Sequence, residues 1–221
     1  MSKTDDTATA LRAKVIQQGR FGRRCAYCDL AFGNSDDFEL HNMDGDHTNL
    51  EIENLEPVCE LCHAVFHLDL LSRKWPDDVG RIVFLPEISQ AELNNLLQAT
   101  FYAAALQMAA QTDGSATATP SPLPASIKPH VVYKALSDRA LVLDGTRASD
   151  PVSLADPFVL ARVMADMDDD TYAAREVLIG GARWLAPWDT FVGKAGGWAR
   201  DGAAFSRLDM DAWISIADVR G

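Results

Sequence analysis

The chain has 221 residues, 48% apolar and 24% charged, and a formal net charge of −12. That length allows one large domain or two small ones, in a composition ordinary for a globular protein. Residues 1–110 carry 9 Lys and Arg against 17 Asp and Glu, and residues 111–221 carry 11 against 15. Neither half offers the basic surface that phosphate contacts require, so binding to nucleic acid is not expected. The longest nearly apolar stretch, residues 99–110, is well short of the ~20 residues that cross a bilayer. The first ten residues have no apolar secretory core, so the expectation is a cytoplasmic protein with no membrane insertion.

The first predicted element is a helix over residues 7–18, where Leu11, Val15 and Ile16 recur at helical spacing. Gly19 and Gly22 end it ahead of the turn Cys25-Ala26-Tyr27-Cys28. Residues 36–43 read as extended, with Phe38 and Leu40 on one side of a strand. Residues 44–49 form a turn-rich loop. Residues 52–59 lead into a second Cys-x-x-Cys turn, and residues 62–73 have helical spacing at Val65, Leu68 and Leu71.

Cys25, Cys28, Cys59 and Cys62 are the only cysteines of the chain, in two pairs separated by 30 residues. Thiolates two residues apart in a tight turn point at one centre, and two such turns complete a tetrahedral zinc site. Disulfides are not expected without a secretion signal. The four cysteines are therefore read as ligands of one structural zinc, whose loss would unfold the surrounding chain.

Residues 81–86 form a short apolar strand ended by Pro86, and residues 89–109 are the clearest helix. Ser89 and Glu92 make a capping box, and Leu93, Leu96, Leu97, Phe101, Ala104 and Met108 line one face. Residues 111–130, rich in Pro, Ser and Thr, read as a linker or excursion. The remainder, residues 131–221, reads as mainly helical. Residues 131–143 lean to helix over hairpin. Asp156 and Pro157 mark a helix start, and residues 170–181 make one helix closed by Gly180 or Gly181. Residues 167–171 lack the spaced oxygen ligands of a calcium loop and open that helix. Trp184, Trp188, Trp198 and Trp213 are read mostly as core. There is no internal repeat.

Residues 41–67, with His41-Asn42, Asp44-Gly45, Asn54-Leu55, Cys59-x-x-Cys62-His63 and His67, resemble the HNH endonuclease pattern. In those enzymes the first residue of a His-His pair and two later histidines hold a divalent metal, and the second His of the pair is the general base. The resemblance puts His41, His63 and His67 at the metal positions, with His63 and His67 four apart on one helix face, and Asn42 at the base. An amide takes no proton, and losing a positioned base costs ~10²–10⁴-fold in rate. The expectation is therefore no catalytic residue, with His41, His63 and His67 as a candidate second metal site. His47 is a conceivable substitute base, but it sits in the loop.

Asn42, Asp44 and Gly45, then Leu85, Pro86, Glu87, Ser89, Gln90, Glu92, Leu93 and Asn94, carry a closer resemblance, to the IcmJ/DotN family of type IVB (Dot/Icm-like) secretion and conjugation systems. It spans residues 20–110 and continues more weakly through residues 133–136 and 180–191 to Trp198. The expected fold is α+β: an HNH-like (ββα-metal or treble-clef-like) zinc domain over 1–110, the linker 111–130, and a mainly helical region 131–221 packing on the first. The resemblance implies a non-catalytic zinc adaptor that binds the C-terminal cytoplasmic region of the coupling ATPase, with other coupling-complex subunits, and aids substrate recruitment at the inner face of the inner membrane. Members of that family often lack His at the positions of His63 and His67. The alternative is an active metal-dependent HNH endonuclease. A zinc-folded nucleic-acid binder using Arg20, Arg23 and Arg24 is opposed by the charge, and those arginines are read as a solvated turn.

Overall fold

The computed structural model describes residues 3–33, 37–113, 127–143 and 153–198. Most of the expected linker, Trp213 and the end of the C-terminal region lie outside these residues. The chain is α+β and mostly helical, and divides into two units. The first holds the described residues through Phe66 with Gly197 and Trp198, and the second runs from His67 to Gly196. Among the described residues, no helix is long and apolar enough to cross a membrane.

In the first unit, helix α1 (Lys3–Gln18) is followed by the first cysteine turn, strand β1 (Glu39–Asn42), a single 3-10 turn (Ile52–Asn54), strand β2 (Leu55–Val58) and helix α2 (Glu60–Ala64). The two strands pair antiparallel, with His41 opposite Glu56 and Asn42 opposite Leu55. The strand β2 was not foreseen; Pro57 sits within it opposite Leu40, and its carbonyl accepts from Ala26 N–H of the first cysteine turn at 2.9 Å. Val15, Phe38 and Val58 are fully buried and form the apolar centre, with the Phe32 ring tilted against Phe38 at 5.2 Å.

The helix expected over residues 62–73 is broken. Its chain runs through α2, a 3-10 stretch (Val65–Leu70) and helix α3 (Leu71–Lys74), and His67 leaves helical geometry at φ −133° and ψ 47°. The apolar spacing was right, but spacing alone does not report a backbone break.

The second unit is built on helix α4 (Gln90–Asp113) and a two-stranded antiparallel sheet of β3 (Arg81–Phe84) and β4 (Ala182–Leu185). The capping box is present: Ser89 N–H donates to Glu92 Oε2 at 2.7 Å and Glu92 N–H to Ser89 Oγ at 3.2 Å. Leu93, Leu97, Phe101 and Ala104 are buried as expected, whereas Met108 is exposed. Helix α5 (Pro129–Asp138) and a 3-10 extension (Arg139–Val142) cover residues 131–142, confirming helix over hairpin. Helix α6 (Pro157–Ala165) starts as read, with Asp156 Oδ1 accepting from Phe158 N–H at 2.8 Å. The single helix expected over 170–181 is two, α7 (Asp169–Ala173) and α8 (Arg175–Ile179), interrupted at Ala174. Asp168 caps α7 through Thr171 N–H at 2.7 Å. Helix α9 (Trp188–Ala195) packs on α4.

The core of this unit is aromatic. Trp184 stacks on Trp75 at 5.5 Å and Phe101 on Phe191 at 5.7 Å. Gln90 clips the start of α4 to β4, donating to the Trp184 carbonyl at 3.0 Å and accepting from its N–H at 2.8 Å. Trp184 and Trp188 therefore stand in or against the core, as read from the sequence.

Candidate metal centre

The first cysteine turn is shaped by backbone bonds. Cys25 N–H donates to Leu30 O at 2.9 Å, and Asp29 N–H returns to Cys25 O at 3.0 Å, with Asp29 in the left-handed region at φ 61°. The second turn opens α2, where Cys59 is the N-cap and His63 N–H donates to its carbonyl at 2.9 Å. The Ala26–Pro57 bond joins the two turns, so the four sulfurs converge. All four cysteines are buried, and their Sγ atoms lie within 4.8 Å of one another.

Chemistry supports a metal there. A tetrahedral zinc with Zn–S near 2.3 Å separates its sulfurs by about 3.8 Å, and Cys28 Sγ lies 3.6 Å from Cys59 Sγ. Cys59 N–H donates to Cys25 Sγ at 3.3 Å, a bond that favours thiolate. Crowding splits the acidities of the four thiols. Hydrogen bonds from Cys28, then Cys59 and Cys62, draw Cys25 down, while bonds with Cys25 and Cys28 push Cys62 up. A divalent cation at the centre removes that competition by holding every sulfur as thiolate.

The histidines gather beside strand β1, with His63 directly after Cys62 in α2. Alternation along β1 puts Glu39 and His41 on one face and Leu40 and Asn42 on the other. His41 lies 5.7 Å, ring to ring, from His63, and stacks on Phe66 at 4.1 Å, with Tyr27 at its edge. His63 Nδ1 is 2.5 Å from Glu39 Oε2. His41 Nδ1 and His63 Nε2 are buried atoms. The structure thus brings the predicted histidines together: one ring nitrogen from each of His41, His63 and His67 lies within 4.8 Å of the others. A shared helix face does not do this, because His63 belongs to α2 and His67 sits at the backbone break. Glu39 was missed, although its place two residues before His41 on a strand could have found it.

Asn42 is turned away from this cluster. It is 6% exposed, and its Nδ2 donates to Asn49 O at 2.7 Å. It anchors a loop braced by Asp44, whose carboxylate accepts from Asn49 Nδ2 at 2.7 Å and Asn54 Nδ2 at 2.9 Å. Asn49, followed by Asp46 N–H, holds the Asp44 carboxyl below its ordinary value, and Thr48 does the same for Asp46. His47 is exposed on that loop.

Each arginine of the basic spot is engaged locally. Arg20 reaches the buried Glu56 carboxylate at 3.2 Å, Arg23 the Gly33 carbonyl at 3.0 Å, and Arg24 Asp29 Oδ2 at 2.8 Å. Burial, then the Glu56 charge, pushes the Tyr27 hydroxyl up to about 12.

No protein-family profile matches the chain. It is similar to the Type 4 apparatus protein DotN of Legionella pneumophila (strain Philadelphia 1), 31% identical over 101 residues that cover 46% of this chain and 45% of that protein. That similarity supports the IcmJ/DotN family. The match thus spans less than half of DotN's length, and it coincides with the family read from Asn42, Asp44 and the segment Leu85–Asn94.

Proposed function

We propose that this chain is a zinc-folded, non-catalytic adaptor of a type IVB (Dot/Icm-like) secretion or conjugation apparatus. In this reading it binds the C-terminal cytoplasmic region of the coupling ATPase, together with other coupling-complex subunits, and aids substrate recruitment from the cytoplasmic side of the inner membrane. The similarity to DotN supports the apparatus. The net charge of −12 supports a protein partner over nucleic acid. The buried, inward-bonded Asn42 carries the non-catalytic part, because it places no proton acceptor beside the histidines.

The first unit keeps an HNH-like frame, a hairpin running into a short helix beside the cysteine centre. One structural zinc sits at Cys25, Cys28, Cys59 and Cys62. His41, His63 and His67 hold a second divalent ion, which when bound supplies a localised positive charge and a Lewis acid. The histidine cluster is also what favours the second reading, a metal-dependent HNH endonuclease.

Two measurements test the proposal. The full chain, with its zinc, is expected to co-purify with the C-terminal region of the coupling ATPase from its own system. It is also expected to leave plasmid DNA intact with Mg²⁺, Mn²⁺ or Ni²⁺. Failure to bind that region overturns the adaptor role. Cleavage that disappears in His41→Ala establishes the nuclease instead.

A further inference from the structure

We infer that Glu39 is a positioning residue for His63, presetting the histidine cluster for a divalent transition ion. The inference rests on the second-metal reading above. Ionised glutamate only accepts hydrogen bonds, so a contact of 2.5 Å to His63 Nδ1 requires that nitrogen to carry the proton. The lone pair of the neutral ring is then on Nε2, a buried atom of a ring that lies 5.7 Å from that of His41. Metal-binding histidines are characteristically fixed this way, by a carboxylate on the ring nitrogen that does not touch the ion. The pairing is built into the hairpin: Glu39 and His41 share one face of β1, and α2 brings His63 against both. Its carboxylate is one-third exposed and the His63 side chain only 18% exposed, so the proton is held from the solvent side and the lone pair is presented inward. Imidazole donors favour zinc, cobalt and nickel over magnesium and calcium, which prefer oxygen.

The experiment uses the whole protein carrying one zinc in its cysteine centre, titrated with Co²⁺ and followed by the visible ligand-field bands. Absence of thiolate-to-cobalt absorption verifies that the zinc stays in place. The wild type is expected to bind one Co²⁺ and to prefer it to Mg²⁺, and His63→Ala to lose it. Glu39→Ala is expected to weaken binding about 10–100-fold, and Glu39→Gln, which keeps an acceptor, to recover part of the loss. Nitrogen NMR of His63 before cobalt is added gives the second readout. The Nδ1–H tautomer is expected in the wild type and a shift toward Nε2–H in Glu39→Ala. Cobalt binding by Glu39→Ala at wild-type affinity, or an Nε2–H tautomer in the wild type, overturns the role of Glu39 and leaves the second metal standing. A wild type that binds no Co²⁺ while showing the Nδ1–H tautomer overturns the second metal and, with it, the presetting of an ion site.

Discussion

Asn42 and Asn49 are tied by a 2.7 Å hydrogen bond from a side-chain amide to a backbone carbonyl. The neighbouring His41 faces the other side of the same strand. The residue that the HNH resemblance puts at the base position therefore braces a loop, and exchanging it for imidazole is not expected to deliver a base to the histidine cluster.

Asn42→His is accordingly expected to remain inactive on plasmid DNA with Mg²⁺, Mn²⁺ or Ni²⁺, and to lose stability through crowding of its buried site. Asn42→Ala is expected to cost about 1 kcal/mol, a modest figure because Asn54 Nδ2 also donates to the Asn49 carbonyl at 3.1 Å. Chemical denaturation measures the loss, and supercoiled-plasmid nicking measures activity.

Metal removal is expected to be severe and pH-dependent. A four-thiolate zinc contributes on the order of 10 kcal/mol to folding, so a strong chelator, or Cys25→Ser or Cys59→Ser, should unfold the first unit and release about one zinc per chain. A zinc ion at that centre would hold the cysteines as thiolates, so their pKa values with metal bound would lie below those of the unfolded chain. That stabilisation is present at neutral pH and is lost as pH falls. Zinc release followed with a colorimetric chelator is expected to increase on acidification, not on alkalinisation.

The start of α4 provides a local test. Ser89→Ala removes the acceptor for Glu92 N–H and is expected to cost about 1 kcal/mol, seen as a lower urea midpoint. Glu92→Ala removes the reciprocal bond to Ser89 N–H, and the double variant is expected to cost less than the sum of the two.

Trp184 anchors the second unit through both its surface and its N–H, which donates to Val79 O at 2.9 Å. Trp184→Phe leaves that carbonyl without this donor and opens a void, at about 2–3 kcal/mol. Gly80→Ala is expected to cost about as much, because Gly80 has φ 73° and an added Cβ would meet Leu185 O at 2.3 Å. Urea unfolding followed by tryptophan fluorescence checks both.

The cysteine centre was legible because Cys25, Cys28, Cys59 and Cys62 carry both ligand type and spacing. The Ser89–Glu92 box and the Asp156–Pro157 start were legible because capping is decided within three residues. Neither β2 nor β4 could be read this way. Each has four residues; β2 contains Pro57, and β4 draws its identity from a partner about a hundred positions upstream. The break at His67 and the Glu39–His63 contact belong to tertiary packing, which periodicity does not encode. The family resemblance pointed to IcmJ/DotN from a handful of positions, and a 101-residue match to DotN agrees with it.

The pairing of β3 with β4 has a consequence for how the protein is made. All four cysteines have emerged from the ribosome soon after Cys62 is added, so a metal ion could be captured early. Strand β3 emerges next but has to await residues 182–185, a delay of roughly 5–20 s at ordinary translation speeds. Through that interval Ile82 and Val83, fully buried in the finished fold, have no completed sheet to enter. The nascent chain thus has its whole four-cysteine cluster available while an apolar edge is still unfinished, and any chaperone demand falls on the latter.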